Sequence, residues 1–80
     1  MYENAKPINH FPLNDQDYRV ILLLAENNMK ATETAYALKV HRNTVCWRIK
    51  KIKDITGLDP MNFYDLYALV LMAKAREDVA

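Results

Sequence analysis

Eighty residues, 51% hydrophobic and 26% charged, with five Tyr, two Phe and one Trp, suffice for one small domain with a single core and exclude disorder over most of the chain. The formal charge of +1 conceals a separation: residues 39–53 carry six Lys/Arg and no acid, while the remainder holds five bases against ten acids. A single cysteine excludes an intrachain disulfide and a paired-cysteine zinc site, and no apolar run has signal-peptide or membrane-span length, so a cytoplasmic protein is expected.

Residues 1–13 hold Pro7 and Pro12 without periodicity and are predicted to form a partly ordered N-terminal arm, with Ile8, Phe11 and Leu13 available for packing. The domain proper is expected over residues 14–78. Asn14 precedes DQDYRVILLLAEN and is predicted to cap a first helix over about 15–27, with Asp17 at N3 completing a capping box. Leu13 and Tyr18 stand at the positions of a hydrophobic staple. The helix should bury a combination of Tyr18, Ile21, Leu22, Leu24 and Ala25. VILLLA could also be a buried strand, but the cap and the length favour helix.

Asn27–Lys30 reads as a connector, and Thr32 as the cap of a short second helix over about 33–39, with Glu33 in its first turn. Ala35 and Leu38 should face inward, Ala35 because two short helices crossing steeply need a small residue at the crossing. After a link at 39–41, a third helix is predicted over 42–56, ended by Gly57 in a left-handed cap. Val45, Ile49, Ile52 and either Ile55 or Thr56 form its inward stripe. Its other side is Asn43, Cys46, Trp47 and Lys50, flanked by Arg42, Arg48, Lys51 and Lys53. Asn62, with Asp65 three residues on, is predicted to cap a fourth helix reaching about residue 77; a start one turn earlier at Asp59–Pro60 is the alternative. Leu66 and Val70 belong to the core. Phe63, Tyr67, Leu69, Leu71 and Ala73 make this helix apolar around much of its girth, more than so small a domain can cover. A subunit interface or a neighbouring domain would explain that excess.

The expected architecture is therefore all-α, with about four helices of which the second and third form a helix-turn-helix. In such a unit the leading turn of the second helix meets base edges in the major groove. Arg42 suits guanine and Asn43 adenine, while Thr44 can bond a base or phosphate or meet a thymine methyl. The free N–H groups at that helix start favour phosphate. Trp47 lies one turn further on, placed for sugars and thymine methyls or for the arm, and Lys50 and Lys51 extend the cationic surface. Four or five neutralised cations would give log K against log salt a slope of roughly −4. His41 is expected to cap the helix or face phosphate, and Cys46 to be a small filler at the groove. No set of ligands for a metal, no nucleophile with its base and no glycine-rich phosphate loop is present, so neither catalysis nor a cofactor is expected.

The run TETAYALKVHRNTVCWRIKKIKDITGLDP, residues 32–60, resembles the C-terminal helix-turn-helix domain of PucR/CdaR-type bacterial transcription regulators. HRNTV, Arg48 with Ile49, and the closing ITGLD carry the likeness, and YALVLMAKA resembles the family's final leucine- and alanine-rich helix. The likeness spans about residues 14–77. It implies a regulator that binds operator DNA through residues 42–56, with Arg42, Asn43, Thr44, Trp47 and Arg48 around the first turns. Periodicity leaves Arg48 open: beside the inward stripe, it can contact phosphate or brace against an acid of another helix. Cys46 stands where the family usually has a base and Trp47 where tyrosine is common, which alters the groove contacts.

The sequence thus points to a sequence-specific double-stranded DNA-binding module for transcription regulation, with Thr32, His41, Arg42, Asn43, Thr44, Trp47, Arg48, Lys50 and Lys51 on its DNA face. A homodimer is expected, joined through the fourth helix and the arm, because one reading helix alone buries little area. The family's sensor region is expected to be missing or separate, leaving a free-standing module or an accessory part of another assembly. The competing reading is a helix-turn-helix-shaped protein-interaction module whose basic helix docks on an acidic partner. Single-stranded RNA is a third reading, for which Trp47 is the only stacking platform.

Overall fold

The structure is a computed structural model that describes residues 13–79, with side chains to residue 76. Four helices follow one another: α1 (Asp15–Glu26), α2 (Ala31–Leu38), α3 (Arg42–Thr56) and α4 (Phe63–Val79). Residues 1–12 of the expected arm lie outside the described part. No helix among the described residues is long and apolar enough to cross a membrane.

α1 starts with the expected capping box: the Asn14 side chain accepts from the Asp17 amide at 2.9 Å, and the Asp17 carboxylate accepts from the Asn14 amide at 3.0 Å. The helix is the hub of the domain. It packs against α2, α3 and α4, whereas α4 packs only on α1 among the described helices. That placement explains which side chains it buries. Tyr18, Val20, Ile21 and Leu24 are all enclosed, so burial extends past the single stripe expected from sequence to include Val20. Leu22 packs half-buried at the core's edge, and Ala25 is exposed. Each enclosed aliphatic side chain contributes roughly 1.5–3 kcal/mol through burial.

The connector turns on two left-handed residues, Asn28 (φ 57°) and Met29 (φ 64°), and Met29 lays its side chain against the core. The chain then enters α2 two residues earlier than expected. Thr32 is not its cap: Lys30 holds that position without a side-chain bond, and Thr32 sits exposed inside the first turn. The nearby hydroxyl that does bond locally is buried Thr34, which donates to the Lys30 carbonyl at 2.9 Å. Its oxygen also lies 3.5 Å from the Leu23 carbonyl of α1. Ala35 is buried at the crossing, as the packing of two short helices requires, and Leu38 closes the rim.

Lys39 ends α2 in the left-handed region (φ 61°), and the Val40 amide returns to the Ala35 carbonyl at 3.0 Å. This Schellman-type bond sets the sharp turn into α3. α3 has the expected bounds and ends at Gly57 (φ 76°), a conformation that side chains beyond glycine disfavour. Val45 and Ile52 are fully buried, with Ile49 half-buried beside them.

Asn62 caps α4 by accepting the Asp65 amide at 3.1 Å. The Asp65 carboxylate reaches the Asp59 amide at 3.0 Å, and Asp59 accepts from Met61 at 2.9 Å, so the alternative start at Pro60 is taken up by a turn. Leu66, Leu69, Met72 and Ala73 face α1, with Val70 half-buried. Arg76, near the end of α4, pairs with Asp15 at the start of α1 and lies 4.5 Å from the centroid of the Tyr18 ring. The two helices are thus tied antiparallel.

Candidate nucleic-acid interface

The candidate interface centres on α3, whose fifteen residues extend for about 22 Å at 1.5 Å per residue. Its orientation follows from burial. With Val45 and Ile52 facing the core, Arg42, Asn43, Trp47 and Lys50 are turned to solvent and Thr44 lies half-buried at the edge. A major groove about 12 Å wide admits a helix presented in this way.

The start of α3 is fixed by His41. Its Nδ1 accepts the Asn43 amide at 3.0 Å, and the Thr44 amide bonds the His41 carbonyl at 2.9 Å. His41 is therefore the helix cap, one of the two roles expected for it. An accepting Nδ1 leaves the proton of the neutral ring on Nε2. The other amides of the first turn remain available to an anion, reinforced by the positive end of the helix dipole.

The cations of this surface fall into two groups. Arg48 and Lys51 point back toward α1, where Arg48 Nη1 lies 3.0 Å and Lys51 Nζ 2.7 Å from the carboxylate of buried Asp17. This answers the question periodicity left open for Arg48, since it braces against an acid of another helix. Burial alone would push the Asp17 carboxyl up. The Lys51 ammonium, the Asn14 amide and the Arg48 guanidinium outweigh it and hold the group below the ordinary carboxylate value. The second group is exposed. Lys50 pairs with Asp54 at 3.2 Å along the helix, Lys53 is 3.9 Å from Asp59, and Lys39 and Arg42 have no acidic partner among the described residues.

Trp47 is 58% exposed, with the Arg48 guanidinium 5.5 Å and the Lys51 ammonium 5.7 Å from its ring centroid. A groove of about 390 Å³ runs beside it, lined by Trp47, Lys50, Lys51, Asp54 and Ile55. Cys46 lies half-buried on the same helix. On α2, Thr32 and Tyr36 stand one turn apart on the outer face, and Tyr36 is 85% exposed.

Of the nine side chains expected on the interface, eight lie on α3 or at its cap; Thr32 is the exception, on the neighbouring helix. Sequence reasoning missed Asp17 as a partner of the basic helix. No local signal reveals it, because 31 and 34 residues separate it from Arg48 and Lys51. Among the described residues no cluster of three His, Cys, Asp or Glu side chains could hold a metal ion.

Residues 18–75 match the family model of the PucR C-terminal helix-turn-helix domain. Over 79 residues the chain is 30% identical to the carbohydrate diacid regulator of Escherichia coli (strain K12), a match covering 95% of this chain and 20% of that protein. Over 49 residues it is 43% identical to the transcriptional activator PmfR of Paenarthrobacter nicotinovorans, covering 61% of this chain and 10% of the relative. The chain spans about a fifth or less of the length of these curated relatives. No solved structure matches it.

Proposed function

The chain belongs to the PucR C-terminal helix-turn-helix family, and we propose from that premise that it is a sequence-specific double-stranded DNA-binding module acting in bacterial transcription regulation. α3 is the reading helix and enters the major groove by its first turn. The observation that carries this reading is the outward projection of Arg42 and Asn43, with Thr44 at their edge, from a helix start whose amides are only partly used. Arginine and asparagine match the major-groove edges of guanine and adenine; arginine also pairs with carboxylates, so it is Asn43 that has no special value against an acidic protein surface. His41 caps this turn and Thr32 stands on the neighbouring helix α2, while Trp47 and Lys50 continue along α3, with Arg48 and Lys51 beside the indole.

Titration with duplex DNA tests the reading, and the single tryptophan reports on it directly. Trp47 emission should change on binding. With Lys39, Lys50 and Lys53 as phosphate contacts and Arg42 at a base edge, log K should fall against log salt with a slope of about −2.7. Single-stranded RNA should bind more weakly, and binding to an acidic protein with no affinity for duplex DNA would favour the interaction-module reading.

The module works as a homodimer in this proposal, joined through α4 and the N-terminal arm. Phe63, Tyr64, Tyr67 and Leu71 are each more than half exposed. At roughly 150–250 Å² per aromatic side chain, their free surface would supply about half of the ~800 Å² that each partner brings to a standard interface. Two reading helices about 34 Å apart would then face successive major grooves. Tyr67→Lys should leave the fold intact and abolish self-association in sedimentation. A monomer on a palindromic duplex would contradict the dimer. Effector sensing belongs to regions outside this domain, and the site of action is the nucleoid in the cytoplasm.

A further inference from the structure

The Asp17 carboxylate serves two structures at once, and only one of them is a helix cap. Oδ2 accepts from the Asn14 amide at 3.0 Å and from the Lys51 ammonium at 2.7 Å, while Oδ1 accepts from the Arg48 guanidinium at 3.0 Å. Asp17 is fully buried, and the Arg48 and Lys51 side chains are 20% and 25% exposed. Both cations also lie within cation–π range of Trp47, the largest exposed side chain of α3. One acid of α1 thus reaches, through two cations, the surface of the reading helix.

We propose that Asp17 is a positioning residue for DNA reading: it fixes Arg48 and Lys51 as a bracket behind Trp47 and withholds their charge from the phosphate backbone. The inference rests on the DNA-binding reading above. A phosphate drawing either cation away would strip a bond from a carboxylate that no water can reach, and an unpaired buried charge is costly. The pairs Lys50–Asp54 and Lys53–Asp59 differ in kind. Both are open to solvent on both sides, so water can replace either partner and a phosphate can take the cation at little cost.

The consequence is selectivity. Phosphate contacts supply the affinity that ignores sequence, so two cations held back lower binding to unrelated DNA. The same two bonds tie the middle of α3 to α1 beneath Trp47.

The test is a salt titration of the 80-residue chain against a duplex of scrambled sequence, comparing Lys50→Met, Lys51→Met and Asp17→Asn. Relative to the unmodified chain, Lys50→Met should flatten the slope of log K against log salt by about 0.9, the loss of one phosphate contact. Lys51→Met should flatten it by less than about 0.3, and Asp17→Asn should steepen it by about 0.9–1.8 as one or both cations are released. A Lys51→Met effect as large as that of Lys50→Met would overturn the proposal. So would a folded Asp17→Asn whose slope is no steeper. If circular dichroism shows that Asp17→Asn does not fold, the two lysine variants decide the matter. A salt-insensitive unmodified chain would overturn the DNA reading itself, a result distinct from equal contributions by the two lysines.

Discussion

α3 and α4 each present to solvent a face that the described residues do not cover, and the two faces have opposite chemistry. α3 is held on one side by Val45 and Ile52, and its outer side is Arg42, Asn43, Trp47 and Lys50. α4 is held against α1 alone by Leu66, Leu69, Met72 and Ala73, and its outer side is Phe63, Tyr64, Tyr67 and Leu71. The polar, cationic face loses nothing by standing in water and gains when it meets a polyanion. The aromatic face loses free energy in water and gains when it meets apolar surface. In the function proposed above, two helices of similar length would thus take two kinds of partner, nucleic acid for one and a second copy of the chain for the other. An apolar groove of about 340 Å³ between Ala25, Met29, Phe63, Leu66 and Val70 extends the second face onto α1 and its connector.

The contrast can be broken most severely through the side of α3 that faces inward. Ile52→Ala should cost about 4 kcal/mol in urea unfolding, because the side chain is fully buried and α3 has no other deep anchor besides Val45. A loss below about 1 kcal/mol would mean that α3 is not seated as described. Asp17→Asn comes next, at roughly 3 kcal/mol, the low end for breaking a buried ion pair because both cations can turn to water. The same bonds contribute to the acid limit. Since the folded carboxyl lies below its ordinary 3.8, its contribution is complete above about pH 5 and is lost as pH falls through 3.8 and below. In Asp17→Asn, this part of the acid sensitivity should vanish from the pH dependence of unfolding. Asn43→Ala should weaken specific DNA binding by roughly 1–3 kcal/mol while moving stability by less than about 0.5 kcal/mol, since the side chain is exposed. Smallest in the monomer, Tyr64→Ser should change unfolding by less than about 0.5 kcal/mol yet weaken self-association in sedimentation. Equal behaviour of the two faces toward DNA would erase the distinction between them.

Much of this fold is legible because its signals are local. Asn14 with Asp17, Asn62 ahead of Asp65, and Gly57 after a stripe of β-branched residues each mark a boundary within a few residues of chain. Thr32 misled because the left-handed pair Asn28–Met29 delivers the chain directly into α2, leaving the hydroxyl of Thr34, buried between helices, to make the local bonds. No local signal marks the burial of Val20, for a related reason. A helix packed on three sides buries more than one stripe, and the number of its neighbours is a tertiary fact. Within the interface, outward residues such as Arg42, Asn43 and Trp47 follow from periodicity. The split between bracketed and exposed cations does not follow, because Arg48, Lys50 and Lys51 look alike until Asp17 arrives from another helix.

Selection from a random duplex pool at physiological salt, run in parallel with the unmodified chain and Asn43→Ala, addresses the reading function of α3 most directly. Enrichment of a defined motif by the unmodified chain, with base preference relaxed at one position by Asn43→Ala, is the expected result. A pool that shows no enriched motif, or the same motif at the same strength from both proteins, would contradict the assignment of α3 as the helix that reads DNA.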